Sequence, residues 1–262
     1  MLRYFDIRLR RGVTLLELLV VVGAITLLLG LMLPGLSRAR EQAKAALCQS
    51  NVRQLAVSNG MYAQDSGGVF VSGAAEIVTK NLRRWHGVRK KKNEPFDSSQ
   101  GPLAPYLGAD AAIRACPTFV PDKPGFEKGN GGYGYNNAYI GVQTFATAKG
   151  QTIVTTDLAG ARSHHVKRPA DTLMFTDCAF VDQSLIEYSF AEPRFHSQYG
   201  TRADPSIHFR HDGHANIAWT DGHGSSQRRS FTYSSGFYEG NPARHNIGWF
   251  GSADDNSLFD LQ

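Results

Sequence analysis

Only three cysteines, Cys48, Cys116 and Cys178, occur in 262 residues. They are too few and too widely spaced for a disulfide scaffold or a C-x-x-C metal site, although one bridge could form if the domain is exported, leaving a single thiol. From Val69 to Gln262 the chain lacks an internal repeat, a long apolar helix and a phosphate loop. Gly-x-Ser-x-Gly is absent, and spacing fixes no Ser-His-Asp or paired-carboxylate set. Catalysis therefore has no positive support, and neither an enzyme nor a cofactor is expected. Charged residues are sparse at 19% against 42% hydrophobic, a balance that permits a sizeable core and argues against wholesale disorder.

What is present is unevenly distributed. From Val13 to Leu33, 16 of 21 residues are apolar, the exceptions being Thr14, Glu17, Gly23, Thr26 and Gly30. At 1.5 Å per residue this run spans roughly 30 Å, the thickness of a bilayer's hydrocarbon core. The formal charge is +5, but Arg3, Arg8, Arg10 and Arg11 all precede the run. Much of the basicity is thus a topology signal, which places residues 1–12 in the cytoplasm and the bulk of the chain outside. Leu31-Met32-Leu33-Pro34-Gly35 is a poor signal-peptidase site. Glu17 stands near the start of the membrane segment, where a carboxylate costs about 2.5 to 3.5 kcal/mol at mid-membrane and less near an end, so it calls for a partner.

Arg11-Gly12-Val13-Thr14-Leu15-Leu16-Glu17-Leu18-Leu19-Val20-Val21-Val22 resembles the signature of type IV prepilins and pseudopilins. The resemblance implies cleavage by a prepilin peptidase between Gly12 and Val13 and methylation of the new N-terminus at Val13, where the family most often has phenylalanine. It also implies an assembly role for Glu17. Cleavage creates a cationic amine, and a carboxylate in low dielectric gains by pairing with that amine on a neighbouring subunit. The plainer reading of Glu17 is a tolerated polar residue near a helix end.

Pro34-Gly35 predicts a kink rather than a stop, since good helix formers follow. Leu36, Ala39, Ala43, Leu47 and Leu55 recur at helical spacing and predict a docking stripe. The helix is expected to run to about Gln64, with Gly67-Gly68 ending it, giving a rod of roughly 75 to 80 Å. Ala39-Arg40-Glu41 and Cys48-Gln49-Ser50-Asn51-Val52-Arg53-Gln54-Leu55 are similar to a large subfamily of prepilin-like proteins. That likeness also covers Cys48 and Cys116-Pro117 and implies a Cys48–Cys116 bridge; three buried free thiols are the alternative.

Short apolar runs bounded by turn residues predict strands at 151–156, 172–176, 206–210, 214–219 and 230–233. The expected fold class is α+β and pilin-like: a long N-terminal helix, half membrane and half amphipathic, packed on a mostly antiparallel sheet. His211, nine intervening residues, then Asp221-Gly222 resemble the H-x(9)-D-G domain that accompanies prepilin-type leaders. A three-residue loop His211-Asp212-Gly213 would put Ile207 and Phe209 on one face with Ala215, Ile217 and Trp219. His196, His208, His211, His214, Asp221 and His223 are acceptable metal ligands. However, His211 and Asp221 fall roughly 20 Å apart along a strand, which leaves turn and surface roles as the preferred reading and no assigned metal. Arg83-Arg84-Trp85-His86-Gly87-Val88-Arg89-Lys90-Lys91-Lys92 is either a solvated loop or a contact for nucleic acid or acidic polysaccharide. Gly131-Gly132-Tyr133-Gly134-Tyr135-Asn136-Asn137 looks structural.

The expected organisation is a leader at 1–12, a transmembrane helix at 13–33, an amphipathic extension at 34–65, and an exported head at 66–262. The resemblance implies a pseudopilin or minor pilin of a type II secretion or type IV pilus-like filament. Its expected partners are the prepilin peptidase, other pilin-like subunits, the assembly platform and the inner membrane, with the head in the periplasm or outside the cell. The alternative is a membrane-tethered binding head, for DNA, polysaccharide or metal, that uses the same export route.

Overall fold

The computed structural model describes residues 14–108, 113–146, 152–197 and 200–262. The leader expected at 1–12, Val13 and the start of the strand expected at 151 lie outside these residues. Helix α1 spans Leu15–Asp65 and includes Pro34. By internal contacts the chain divides at residue 42. In the N-terminal unit the apolar side chains from Leu15 to Leu36 are exposed. This is one helix long and apolar enough to cross a membrane. Its hydroxyls are returned to the backbone, Thr26 Oγ1 donating to the Gly23 carbonyl and Ser37 Oγ to the Pro34 carbonyl. The helix ends in a Schellman arrangement: Gly67 adopts a φ of 65° and the Gly68 N–H reaches the Ala63 carbonyl at 2.7 Å.

In the second unit, residues 43–262, the buried face of the helix is Cys48, Asn51, Val52, Leu55, Ala56, Ser58, Asn59 and Ala63. Of the stripe expected from hydrophobicity, only Leu55 belongs to it; Leu36 and Leu47 are half-exposed. The reason is that two asparagines serve as core contacts. Asn51 Nδ2 donates to the Tyr133 hydroxyl at 3.1 Å, and Asn59 Nδ2 to the Tyr135 hydroxyl at 3.0 Å. Asn59 Oδ1 accepts the Val71 N–H, and the Tyr135 hydroxyl donates to the Val71 carbonyl, so the Asn59 amide and the Tyr135 hydroxyl are each engaged as donor and acceptor.

The tyrosines belong to a four-stranded antiparallel sheet in the order Gly224–Arg228, His214–Trp219, Leu173–Asp177, Tyr133–Tyr135. Gly134 between them is required by close approach: a Cβ there would meet the Cys178 side chain and the Phe190 backbone. One apolar cluster joins the helix face to Trp85, Tyr133, Tyr135, Phe175 and Ala218. Ala215, Ile217 and Trp219 enter a second cluster with Ile207, Phe209, Trp249 and Phe250, as alternation along a strand dictates. Among the described residues, four smaller antiparallel pairs accompany this sheet, the first being Arg83–Arg84 with Gly87–Val88. The α+β layout of a long helix and a mostly antiparallel sheet therefore stands.

Two strand expectations need correcting, and one strand was not foreseen. The 206–210 run forms only Ile207–His208, and it pairs with Ile247–Gly248 instead of with 214–219. The 230–233 run makes a single bridge, Phe231 to Trp249. Gly224–Arg228 is a strand whose polar sequence, Gly-Ser-Ser-Gln-Arg, carries no alternation signal, because it lies at the edge of the sheet.

The buried pair at the small hairpin matters for stability. Arg84 grips Glu127 through two bonds of 2.7 Å, and Ser189 Oγ donates to the same carboxylate. Burial pushes the Glu127 carboxyl up, but its partners Arg84 and His86 more than offset this and hold it at about 2. Burial holds His86 below the usual histidine range. Both groups therefore bind fewer protons folded than unfolded, so each contributes stability that is lost on acidification.

Two outcomes follow for urea unfolding of the chain. Asn59→Ala should lower stability by about 2 to 3 kcal/mol, because it orphans the Val71 N–H and a Tyr135 partner together. In a pH series, the midpoint should begin to fall below 6.5, the ordinary histidine value, as His86 is forced to charge. A further loss of roughly 3 kcal/mol should come between 4.5 and about 2, where Glu127 protonates, and Glu127→Gln should flatten this second limb.

Candidate functional site

At the N-terminal end of α1, Thr14 and Glu17 cap the helix reciprocally. Glu17 Oε2 accepts the Thr14 N–H at 2.8 Å and the Thr14 hydroxyl at 2.9 Å, while Thr14 Oγ1 accepts the Glu17 N–H at 3.2 Å. This is a capping box, and its signal, Thr-x-x-Glu ahead of an apolar run, is present in the sequence alongside the charge argument. Glu17 thus has a local use. Gly12 and Val13, the expected cleavage and methylation residues, lie outside the described residues.

His211 and Asp221 sit at opposite ends of the strand His214–Trp219, each beside a tight turn. His211 and His214 exchange backbone hydrogen bonds at 3.0 and 3.1 Å, leaving a two-residue loop, Asp212-Gly213, with φ of 52° and 76°. The three-residue loop inferred from alternation is therefore replaced by the mirror-image turn that Asp-Gly favours. The alternation argument presumed that 206–210 was the hairpin partner, and it is not. Ile207 and Phe209 still join Ala215, Ile217 and Trp219, but by packing across from another pair of strands. At the far end Asp221 Oδ1 accepts the His223 N–H at 3.0 Å and faces His223 Nδ1 at 2.7 Å. Gly222, at a φ of 88°, presents its carbonyl to Arg53 of α1 at 3.2 Å.

His211 itself faces inward. Its Nε2 lies 3.2 Å from Asp177 Oδ2 and 3.7 Å from Cys116 Sγ, and its Nδ1 lies 3.4 Å from Thr118 Oγ1. Asp177, fully buried at the end of its strand, also receives Arg210 at 3.2 Å and the Asn216 N–H at 2.8 Å. Cys116 is joined to Cys48 of α1, with Cα atoms 5.2 Å apart. Cys178 is a buried free thiol, and burial pushes it up, which keeps it protonated and inert. The motif histidine, a buried acid and the helix cross-link therefore meet at one point. Spacing gave no hint of this, because Cys48, Cys116, Asp177 and His211 are brought together only by the docking of the helix on the sheet.

Among the described residues, Cys48, Cys116 and His211 form a group whose ligand atoms lie within 4.8 Å of one another. Of the six histidine and aspartate candidates read from the sequence, His211 alone belongs to it. The basic run divides in two: Arg84, Trp85, His86 and Arg89 are buried, whereas Arg83, Lys90, Lys91 and Lys92 are exposed. Trp85 donates to the Ser189 carbonyl at 2.7 Å from inside the core and has no face to offer a base. The exposed remainder is a cluster of cations without an aromatic platform.

No protein-family model, curated protein or solved structure matches the chain.

The cross-link closes a loop with a sequence separation of 68, which in the chain-entropy account contributes about 4 kcal/mol. Replacing Cys48 and Cys116 by alanine together should lower the urea-unfolding free energy by about that amount, while Cys178→Ala should leave the Cys48–Cys116 peptide intact in non-reducing maps.

Proposed function

We propose that the chain is a prepilin-type subunit of a type II secretion or type IV pilus-like filament, processed at Gly12–Val13, methylated at Val13 and held in the inner membrane before assembly. The observation that carries this reading is Glu17: a carboxylate in the first turn of a helix whose apolar side chains from Leu15 to Leu36 are exposed. A simple anchor gains nothing from a charge there, because a neutral cap would satisfy the same backbone groups at lower cost in lipid. A cleavage-generated amine at Val13 on an adjoining subunit would supply the missing charge, at a distance where low dielectric makes the pairing strong. The head, on this reading, is exported to the periplasm or cell exterior, where an oxidising environment suits the Cys48–Cys116 bridge. Prepilin peptidase, pilin-like subunits and the assembly platform are the partners.

Mass spectrometry of the native N-terminus should find it at a methylated Val13; an intact Met1–Gly12 segment in the membrane form would sink the proposal. In co-expression pulldowns, Glu17→Gln should lose the partner subunits by at least tenfold while processing continues. Thr14→Ala, which removes the cap but keeps the charge, should retain them. Equal retention by both variants would reduce Glu17 to a helix cap.

A further inference from the structure

The meeting of Cys48, Cys116, His211 and Asp177 is more than a disulfide needs. A structural bridge asks only for apolar surroundings, yet this one is flanked by the buried His211 imidazole and the Thr118 hydroxyl, with the buried Asp177 carboxylate 3.2 Å beyond the imidazole. We infer that in its dithiol state the chain binds one thiophilic transition-metal ion, of the Zn2+ type, between Cys48 Sγ, Cys116 Sγ and His211 Nε2, whose ligand atoms lie within 4.8 Å of one another.

The geometry supports three protein ligands and an open fourth position. Metal–sulfur and metal–nitrogen bonds of about 2.3 and 2.0 Å place tetrahedral ligand atoms about 3.3 to 3.8 Å apart. Cys116 Sγ to His211 Nε2 is 3.7 Å, and the three ligand atoms all lie within 4.8 Å of one another. Once released from their mutual bond, the sulfurs can part to that spacing. Thr118 Oγ1, 3.4 Å from His211 Nδ1, is placed to accept the Nδ1 proton and so fix the tautomer that turns the Nε2 lone pair to the metal. Asp177 is in turn held by the Asn216 N–H and by Arg210. Charge closes as well: two thiolates, one carboxylate, one divalent ion and the Arg210 guanidinium sum to zero, which a buried site requires.

The exchange balances. A dithiol reductant transfers two electrons and two protons to the Cys48–Cys116 bond, giving two protein thiols and the cyclic disulfide of the reductant. Metal binding then releases the two thiol protons to solvent. Helix α1 would thereby trade a covalent tie to Cys116 for a coordinate tie to Cys116 and His211. The cation replaces the bond it cannot coexist with, so the site is gated by redox state.

The test uses the full-length chain in detergent, reduced with dithiothreitol under anaerobic conditions, freed of reductant by gel filtration and titrated with Co2+ and then Zn2+. One cobalt per chain, with a thiolate-to-cobalt charge-transfer band that zinc abolishes, is expected for the reduced protein, and no binding for the oxidised one. Cys48→Ser and Cys116→Ser should each weaken binding at least a hundredfold. His211→Gln should weaken it about tenfold and alter the cobalt ligand-field bands, and Cys178→Ala should change nothing. Circular dichroism reports whether the reduced head stays folded. Reduction that unfolds it, a folded dithiol form that takes no metal, or full binding that survives Cys48→Ser would each overturn the inference.

Discussion

The second unit depends on the docking of residues 48–63 of helix α1 on the strand Tyr133–Tyr135. A helix of apolar residues alone could slide on a sheet, because burial is proportional to area and indifferent to register. Asn51 and Asn59, eight residues apart, remove that freedom by meeting two tyrosine hydroxyls two residues apart on the strand. Each bond is worth about 1 kcal/mol net, but any slip orphans buried amides and hydroxyls at about 1 to 3 kcal/mol apiece. The Cys48–Cys116 bond fixes the same face covalently.

Given that docking, the placement of the histidine motif follows. The two Asp-Gly turns reverse the chain on either side of His214–Trp219, so one end presents His211 to the cross-link and the other presents the Gly222 carbonyl to Arg53. Both ends of the motif touch helix α1 or the residue bonded to it. Asn216, between them, donates its side-chain amide to the Ala45 carbonyl and its N–H to Asp177. The motif therefore has a structural account in which His211, Asn216 and the Gly222 carbonyl hold the helix-bearing face of the sheet. A buried aspartate shared by Arg210, His211 and Asn216 is the centre of that account.

The N-terminal unit obeys a different constraint. Its apolar side chains from Leu15 to Leu36 meet no core, and the hydroxyls within it are answered locally: Thr26 and Ser37 bond back to the helix carbonyls, and Thr14 and Glu17 cap each other. Those bonds neutralise dipoles but leave the Glu17 charge without a counter-ion within the described helix. That residual charge is the reason a filament partner is invoked at all. In the head, by contrast, Arg84 and Glu127 answer each other inside the core, and half of a basic run that reads as a surface feature is spent on packing.

The amino-acid sequence alone determined the features governed by local rules. These include the apolar span after Thr14, the Gly67-Gly68 helix stop, the strand His214–Trp219, and an antiparallel head bounded by Gly, Asp and Pro turns. Length, periodicity and turn chemistry are properties of neighbouring residues, so they can be read in a line. Which helix face is buried, which strand Ile207 joins, that Trp85 and Arg84 turn inward, and that Cys48, Cys116, Asp177 and His211 converge were decided only by the tertiary structure. Each of these depends on a partner far along the chain, and a polar residue such as Asn51 or Asn59 enters a core only because a specific hydroxyl waits there to satisfy it.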